Sequence, residues 1–210
     1  MTIDLARNKI EFQSLVKKYI KREGIEEFME WLDTTDFYEA PATTQYNLSV
    51  DGGLCQHSLN VFHAMVEMVN NFYSKEPDDS NVYNGDTLEA QGAFAMESIA
   101  IVSLFHGIHK IGCYVKDFRN VKENGVWVQK EYWRWDEQFI YGRGAKSVYI
   151  LQQFMRLYVD EAQAIRFYLG GREDVLSGQF ETAYMGVYEN SPIAVFLFLS
   201  NEAATWLSRE

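Results

Sequence analysis

Residues 52–72 read GGLCQHSLNVFHAMVEMVNNF, and the spacing within this stretch decides the fold class. Leu54, Ser58, Val61, Phe62, Met65, Val69 and Phe72 recur at intervals of three and four, which predicts an amphipathic helix. The Gly52-Gly53 pair breaks the chain before it, and His57 falls near its start. Upstream, Ile10, Phe12, Leu15, Val16, Tyr19 and Ile20 follow the same period, with Lys17, Lys18, Lys21 and Arg22 on the other side. Gly24 interrupts that helix, and 25–32 reads as a second short one. Positions 36–53 read as a loop.

Downstream, 91–110 again has helical spacing, and 144–157, 160–170 and 192–208 are expected to be helices. Ser191-Pro192 is the start signal of the last. Between them the period changes to two. Residues 115–121 and 126–135 flank Lys122-Glu123-Asn124-Gly125, and Asn-Gly between apolar runs signals a β-hairpin. The polar run from Asp78 to Asp86 lacks the spacing of a calcium loop and reads as a solvated turn. The expected architecture is therefore mainly α, one domain over 1–210, with an N-terminal helical segment at 1–35 and a hairpin insertion at 113–135.

Composition narrows the function classes. The chain has 210 residues, 47% hydrophobic and 15% aromatic, which is ample apolar surface for a core and excludes disorder. Its net charge of -11 argues against a binder of nucleic-acid duplexes or anionic membranes, which needs a basic surface. A homo-oligomer is compatible with this composition. Cys55 and Cys113 are too few for a disulfide scaffold, and no apolar run reaches the ~18 residues of a membrane span. With no leader pattern at the N-terminus, a cytoplasmic location is expected.

Four histidines, His57, His63, His106 and His109, lack the zinc-protease spacing, and a lone histidine beside apolar helix is ordinarily a hydrogen-bonded core residue. Tyr141-Gly142-Arg143-Gly144-Ala145-Lys146-Ser147 places two glycines around an arginine at a helix start, with Lys146 one turn inside. Free backbone N–H groups with Arg and Lys make a phosphate cradle, although the spacing is not a Walker loop. Lys110 and Arg166 are further cations within apolar helices, and such cations need anionic partners, a ligand or an internal carboxylate.

In chain order, Phe37 to Ala42, Gly52 to Val61, Glu97 to Gly112, the hairpin, Tyr141 to Val148, Ala164-Ile165-Arg166 and the helix from Pro192 resemble the HD-domain phosphohydrolase superfamily. The likeness is to its small phage and bacterial members. It implies an HD-domain-like helical bundle with a divalent-metal site built from a histidine, a His-Asp pair and a late aspartate. His57 and His106 match the two histidines, and Lys110 is kept. The paired aspartate is Gly107, the histidine between the glycines is Arg143, a later histidine is Tyr168, another is Phe198, and the late aspartate is Asn201.

A hard cation wants carboxylate oxygens, and both are gone, while Arg143 repels a metal and attracts phosphate. The expectation is a catalytically inactive pocket with no metal and no cofactor, which binds a phosphate-bearing small molecule such as a nucleotide or cyclic nucleotide. Its residues would be His57, His106, Lys110, Arg143, Lys146, Arg166, Tyr168 and Asn201, with a tryptophan such as Trp133 stacking on a base. By analogy with the phage proteins, the pocket sequesters a nucleotide signal of host defence, in the host cytoplasm. The alternatives are an active metal-dependent phosphohydrolase using His57, His106, His109 and Glu202, and a structural or regulatory protein with a vestigial pocket.

Overall fold

The computed structural model describes residues 3–73, 95–170 and 180–207, with the side chains of 180–182 left aside. The helices are α1 (Leu5–Tyr19), α2 (Ile25–Asp33), α3 (Gly53–Tyr73), α4 (Met96–Phe105), α5 (Arg143–Leu151), α6 (Val159–Arg166), α7 (Phe180–Asn190) and α8 (Pro192–Trp206). A 3₁₀ turn (Ile108–Lys110) follows α4, and β1 (Tyr114–Glu123) pairs antiparallel with β2 (Val126–Trp135). The molecule is thus mainly helical with one two-stranded hairpin. No helix of the described residues is long and apolar enough to cross a membrane.

Helix α3 is the spine. It packs against α4 and α8, while α1 lies over α3 and α4, and α6 closes on α8 and α5. Its Leu54, Leu59, Val61, Met65 and Val69 are buried among Phe12 of α1, Phe28 and Leu32 of α2, Ile99 and Phe105 of α4, Ile165 of α6 and Leu197 of α8. The aromatic centre combines an edge-to-face pair, Phe28 and Phe105 with rings 4.8 Å apart, and a tilted pair, Phe12 and Phe37, 5.0 Å apart.

Two glycines set close approaches that a side chain would forbid. A Cβ on Gly53 would sit 2.1 Å from the Leu48 carbonyl oxygen, so the 42–48 loop lies directly on the start of α3. A Cβ on Gly144 would sit 2.3 Å from the Arg166 carbonyl oxygen, so α5 touches the end of α6 backbone to backbone.

The differences from the sequence reading have physical reasons. Ile10 and Phe72 are 69% and 72% exposed, off the core face assigned to them. Phe72 packs edge-on against Phe196 instead, 5.6 Å between centroids. The expected 144–157 helix ends at Leu151, because the following turn swings Phe154 onto Phe28 and Trp31. The 91–110 helix becomes Met96–Phe105, breaking before Gly107 into the 3₁₀ turn, and 91–94 lie outside the described residues. The 160–170 helix ends at Arg166, and α7 was not anticipated. The Asp78–Asp86 turn lies outside the described residues. Ser191 does sit at the N-cap of α8 with Pro192 following, but its buried hydroxyl makes no capping bond.

Candidate functional site

The 42–48 loop, the α3 start, the 3₁₀ turn, the base of the hairpin, the α5 start and α8 surround a cavity of about 370 Å³. That volume falls in the range of small-molecule sites. Of the eight residues singled out in the sequence, His57, Lys110, Arg143, Tyr168 and Asn201 line it. His106 lies just behind the wall, its ring 5.4 Å from that of His57 and 5.0 Å from that of Tyr168.

The two remaining residues are elsewhere. Lys146 is buried with Nζ 3.1 Å from Glu137 Oε1 and 3.2 Å from Cys113 Sγ, so an internal carboxylate neutralises it. Arg166 stacks against Phe167 and lines a separate groove with Tyr149 and Tyr158. Trp133 is likewise occupied, its Nε1 donating to Asp51 Oδ1 over 3.0 Å. The tryptophans on the cavity are Trp135 and Trp206, which sequence reasoning missed. Hairpin register was the available signal for Trp135, since it pairs with Tyr114 at the end that enters the body. Trp206, with Tyr46 at 6.1 Å, had none.

Each imidazole already has partners. His57 Nε2 meets Asn201 Oδ1 at 3.1 Å, and an amide oxygen accepts, so this nitrogen carries the proton. His106 Nδ1 donates to the Ser103 carbonyl at 2.8 Å, which leaves Nε2 as its acceptor nitrogen. His109 Nδ1 lies 3.2 Å from Ser147 Oγ and its Nε2 3.5 Å from Tyr168 Oη. Ser147 Oγ in turn donates to the His106 carbonyl at 2.7 Å. Burial pushes all three pKa values below the histidine norm, that of His106 to about 4, helped for His57 and His109 by the Lys110 charge. All three are neutral at pH 7. His63 lies outside this set, exposed and paired with Glu11.

The cationic side consists of Lys110 and Arg143. Lys110 Nζ donates to the Ala42 carbonyl at 2.8 Å, and Tyr114 Oη donates to the same oxygen at 3.0 Å. Burial, with a smaller push from Arg143, lowers the Lys110 amine to about 8. Arg143 opens α5 after Gly142, whose φ of 79° no other residue type adopts readily. Neither cation forms an ion pair with a described residue. Glu202, the carboxylate on the cavity wall, accepts from Asn201 Nδ2 at 3.5 Å.

A divalent metal, which the likeness to HD domains implies, does not fit this donor set. His57 and Asn201 are engaged with each other, Gly107 offers no ligand, and Arg143 brings a permanent positive charge to the same cavity. Among the described residues no three His, Cys, Asp or Glu side chains converge as a metal site. A Cβ at Gly107 would meet Leu54 Cδ1 at 3.4 Å, an ordinary contact.

No protein-family model, curated protein or solved structure matches this chain.

Proposed function

We propose that the chain is an HD-like fold whose metal site has become a binding pocket for a phosphate-bearing small molecule, a nucleotide in the first instance. The observation that supports this reading is the placement of Lys110 and Arg143 on one cavity, without an ion-pair partner among the described residues. Lys110 is half-buried and costly to hold charged unless an anion joins it, and a phosphate supplies oxygens for it and for the exposed Arg143 beside it. Lys146, by contrast, already has its carboxylate and is not counted in the pocket. Trp135, Tyr46 and Trp206 offer ring faces and edges to a base at the mouth of the cavity. Binding without turnover amounts to sequestration of the ligand.

The test is a thermal-shift series with inorganic phosphate and with mono-, di- and cyclic nucleotides, each with and without Mn²⁺. A binder stabilises its folded state by mass action, so at least one nucleotide raises Tm with no need of metal. Arg143→Ala weakens that ligand roughly ten- to a hundredfold, as expected for one or two charge-assisted bonds. Arg143→Lys recovers part of the loss, because an ammonium lacks the bidentate fork. The ligand-free Tm of Arg143→Ala hardly moves. Metal-dependent turnover of a nucleotide, lost in His57→Ala, would overturn the reading in favour of an active phosphohydrolase.

A further inference from the structure

The hairpin is unlike the rest of the molecule in charge, in exposure and in packing. Its strands pair over ten residues each, and among the described residues no third strand joins the sheet, so neither outer edge pairs with a described strand. The base is anchored. Tyr114 is buried, Trp133 is half-buried against Asp51, and Lys116 reaches Asp51 and Glu131 at 3.2 and 3.1 Å. Beyond Asp117 the side chains emerge. Phe118, Val126 and Trp127 are 57%, 64% and 67% exposed. An isolated two-stranded ribbon is marginal in water without a further surface to cover one face.

The charge pattern says what kind of surface that is. Residues 114–135 carry Lys116, Arg119, Lys122, Lys130 and Arg134 against Asp117, Glu123 and Glu131, a net charge of +2. With the whole chain at -11, the remainder carries -13. Lys116, Lys130 and Arg134 already face carboxylates within or beside the hairpin. Arg119 and Lys122 have no carboxylate partner among the described residues. Arg119 lies over the Tyr132 ring at 5.1 Å, and Lys122 stands opposite Trp127 across the ladder. By register Phe118, Lys122 and Trp127 share one face of the ribbon, while Arg119 and Val126 stand on the other. The outer half therefore carries exposed aromatic area beside an available cation on one face and a second cation behind it, on a molecule otherwise strongly acidic.

We propose that the hairpin is a dimerisation arm, its outer half docking on the acidic body of a second copy of this chain. Each copy has one arm and one acidic body, so reciprocal docking about a two-fold axis closes the assembly at two. The arm buries its aromatics and offsets part of the partner's excess negative charge in the same contact.

Sedimentation velocity on the full chain, over a concentration series, tests this. The wild type is expected to run as a species of twice 24.4 kDa, with dissociation increasing severalfold as salt screens the charge contribution. Phe118→Ser with Trp127→Ser removes the apolar contact and weakens the dimer by about tenfold or more. An independent variant, Arg119→Glu with Lys122→Glu, keeps the aromatics and weakens it as well. Both pairs are exposed, so monomer far-UV circular dichroism and Tm should stay near wild type. A wild type monomeric throughout the series overturns the proposal. So does a dimer indifferent to both variants. A monomer whose hairpin instead retains a fluorescent single-stranded oligonucleotide also overturns it, in favour of nucleic acid as the occupant.

Discussion

At the scale of single residues, the site is governed by groups whose ordinary charge has been altered by burial. His57, His106 and His109 are neutral in the folded chain and titrate below the value of about 6.5 that they have when unfolded. In the window between, the unfolded chain binds protons that the folded chain refuses, so stability is full above about pH 6.5 and is lost as pH falls. For His106, with its pKa at about 4, the loss amounts to on the order of 3 kcal/mol across that window. Urea titrations from pH 7 down to 4 should show the midpoint falling steadily from near pH 6.5. His106→Gln, which cannot protonate, should flatten that fall relative to wild type. The identity of these residues was legible in the sequence; their state was not. Spacing places His106 near a helix end, but only the fold puts Tyr168, His57 and the Ser103 carbonyl around it.

At the scale of elements, the glycine-flanked arginine shows how a motif divides between two tasks. Gly142 and Gly144 read alike in the sequence, as parts of one anion cradle. In the fold Gly142 supplies a positive φ for the turn into α5, whereas Gly144 lets α5 meet the Arg166 carbonyl. Gly144→Ala therefore forces two helices apart and should cost about 1–3 kcal/mol by overpacking, with a matching fall in Tm. A purely ligand-binding Gly144 would leave the apo melting temperature unchanged. Lys146 reads as part of the same cradle for a related reason: spacing puts it one turn inside α5, but nothing local reveals that Glu137, nine residues earlier, comes back to meet it. The hairpin was the most legible element, since Asn124-Gly125 is a local instruction that needs no tertiary context, and Asn124 takes its expected positive φ of 49°.

At the scale of the whole molecule, the segment between α1 and α2 is bound to the helices far along the chain by one buried ion cluster. Arg22 NH1 and NH2 reach Glu161 at 2.5 and 3.0 Å, and NH2 reaches Glu97 Oε2 at 3.0 Å. Ser98 Oγ donates to Glu161 Oε1 at 2.7 Å, and the Tyr158 backbone N–H donates to Glu161 Oε2 at 2.8 Å. Burial pulls the guanidinium pKa down, and the two carboxylates more than reverse it. Sequence periodicity grouped Arg22 with the solvated lysines, because a long-range partner leaves no trace in local spacing. Glu161→Gln leaves a buried cation short of its partner and should destabilise by about 3–5 kcal/mol, measured by denaturant midpoint. A change under ~1 kcal/mol would show that the cluster is solvent-screened, as surface pairs are.

The carbonyl of Ala42 has a consequence for what can enter the cavity. Both its lone pairs are occupied, one by the phenol of Tyr114 and one by the amine of Lys110. A protonated amine has three N–H bonds in a tetrahedral array, and with one leg anchored its rotation is arrested. The other two bonds then hold fixed bearings, already set before any guest arrives. A spherical anion such as chloride can satisfy one of them; a centre that carries several oxygens can meet both. Valence geometry, in addition to charge, thus favours oxyanions at this wall.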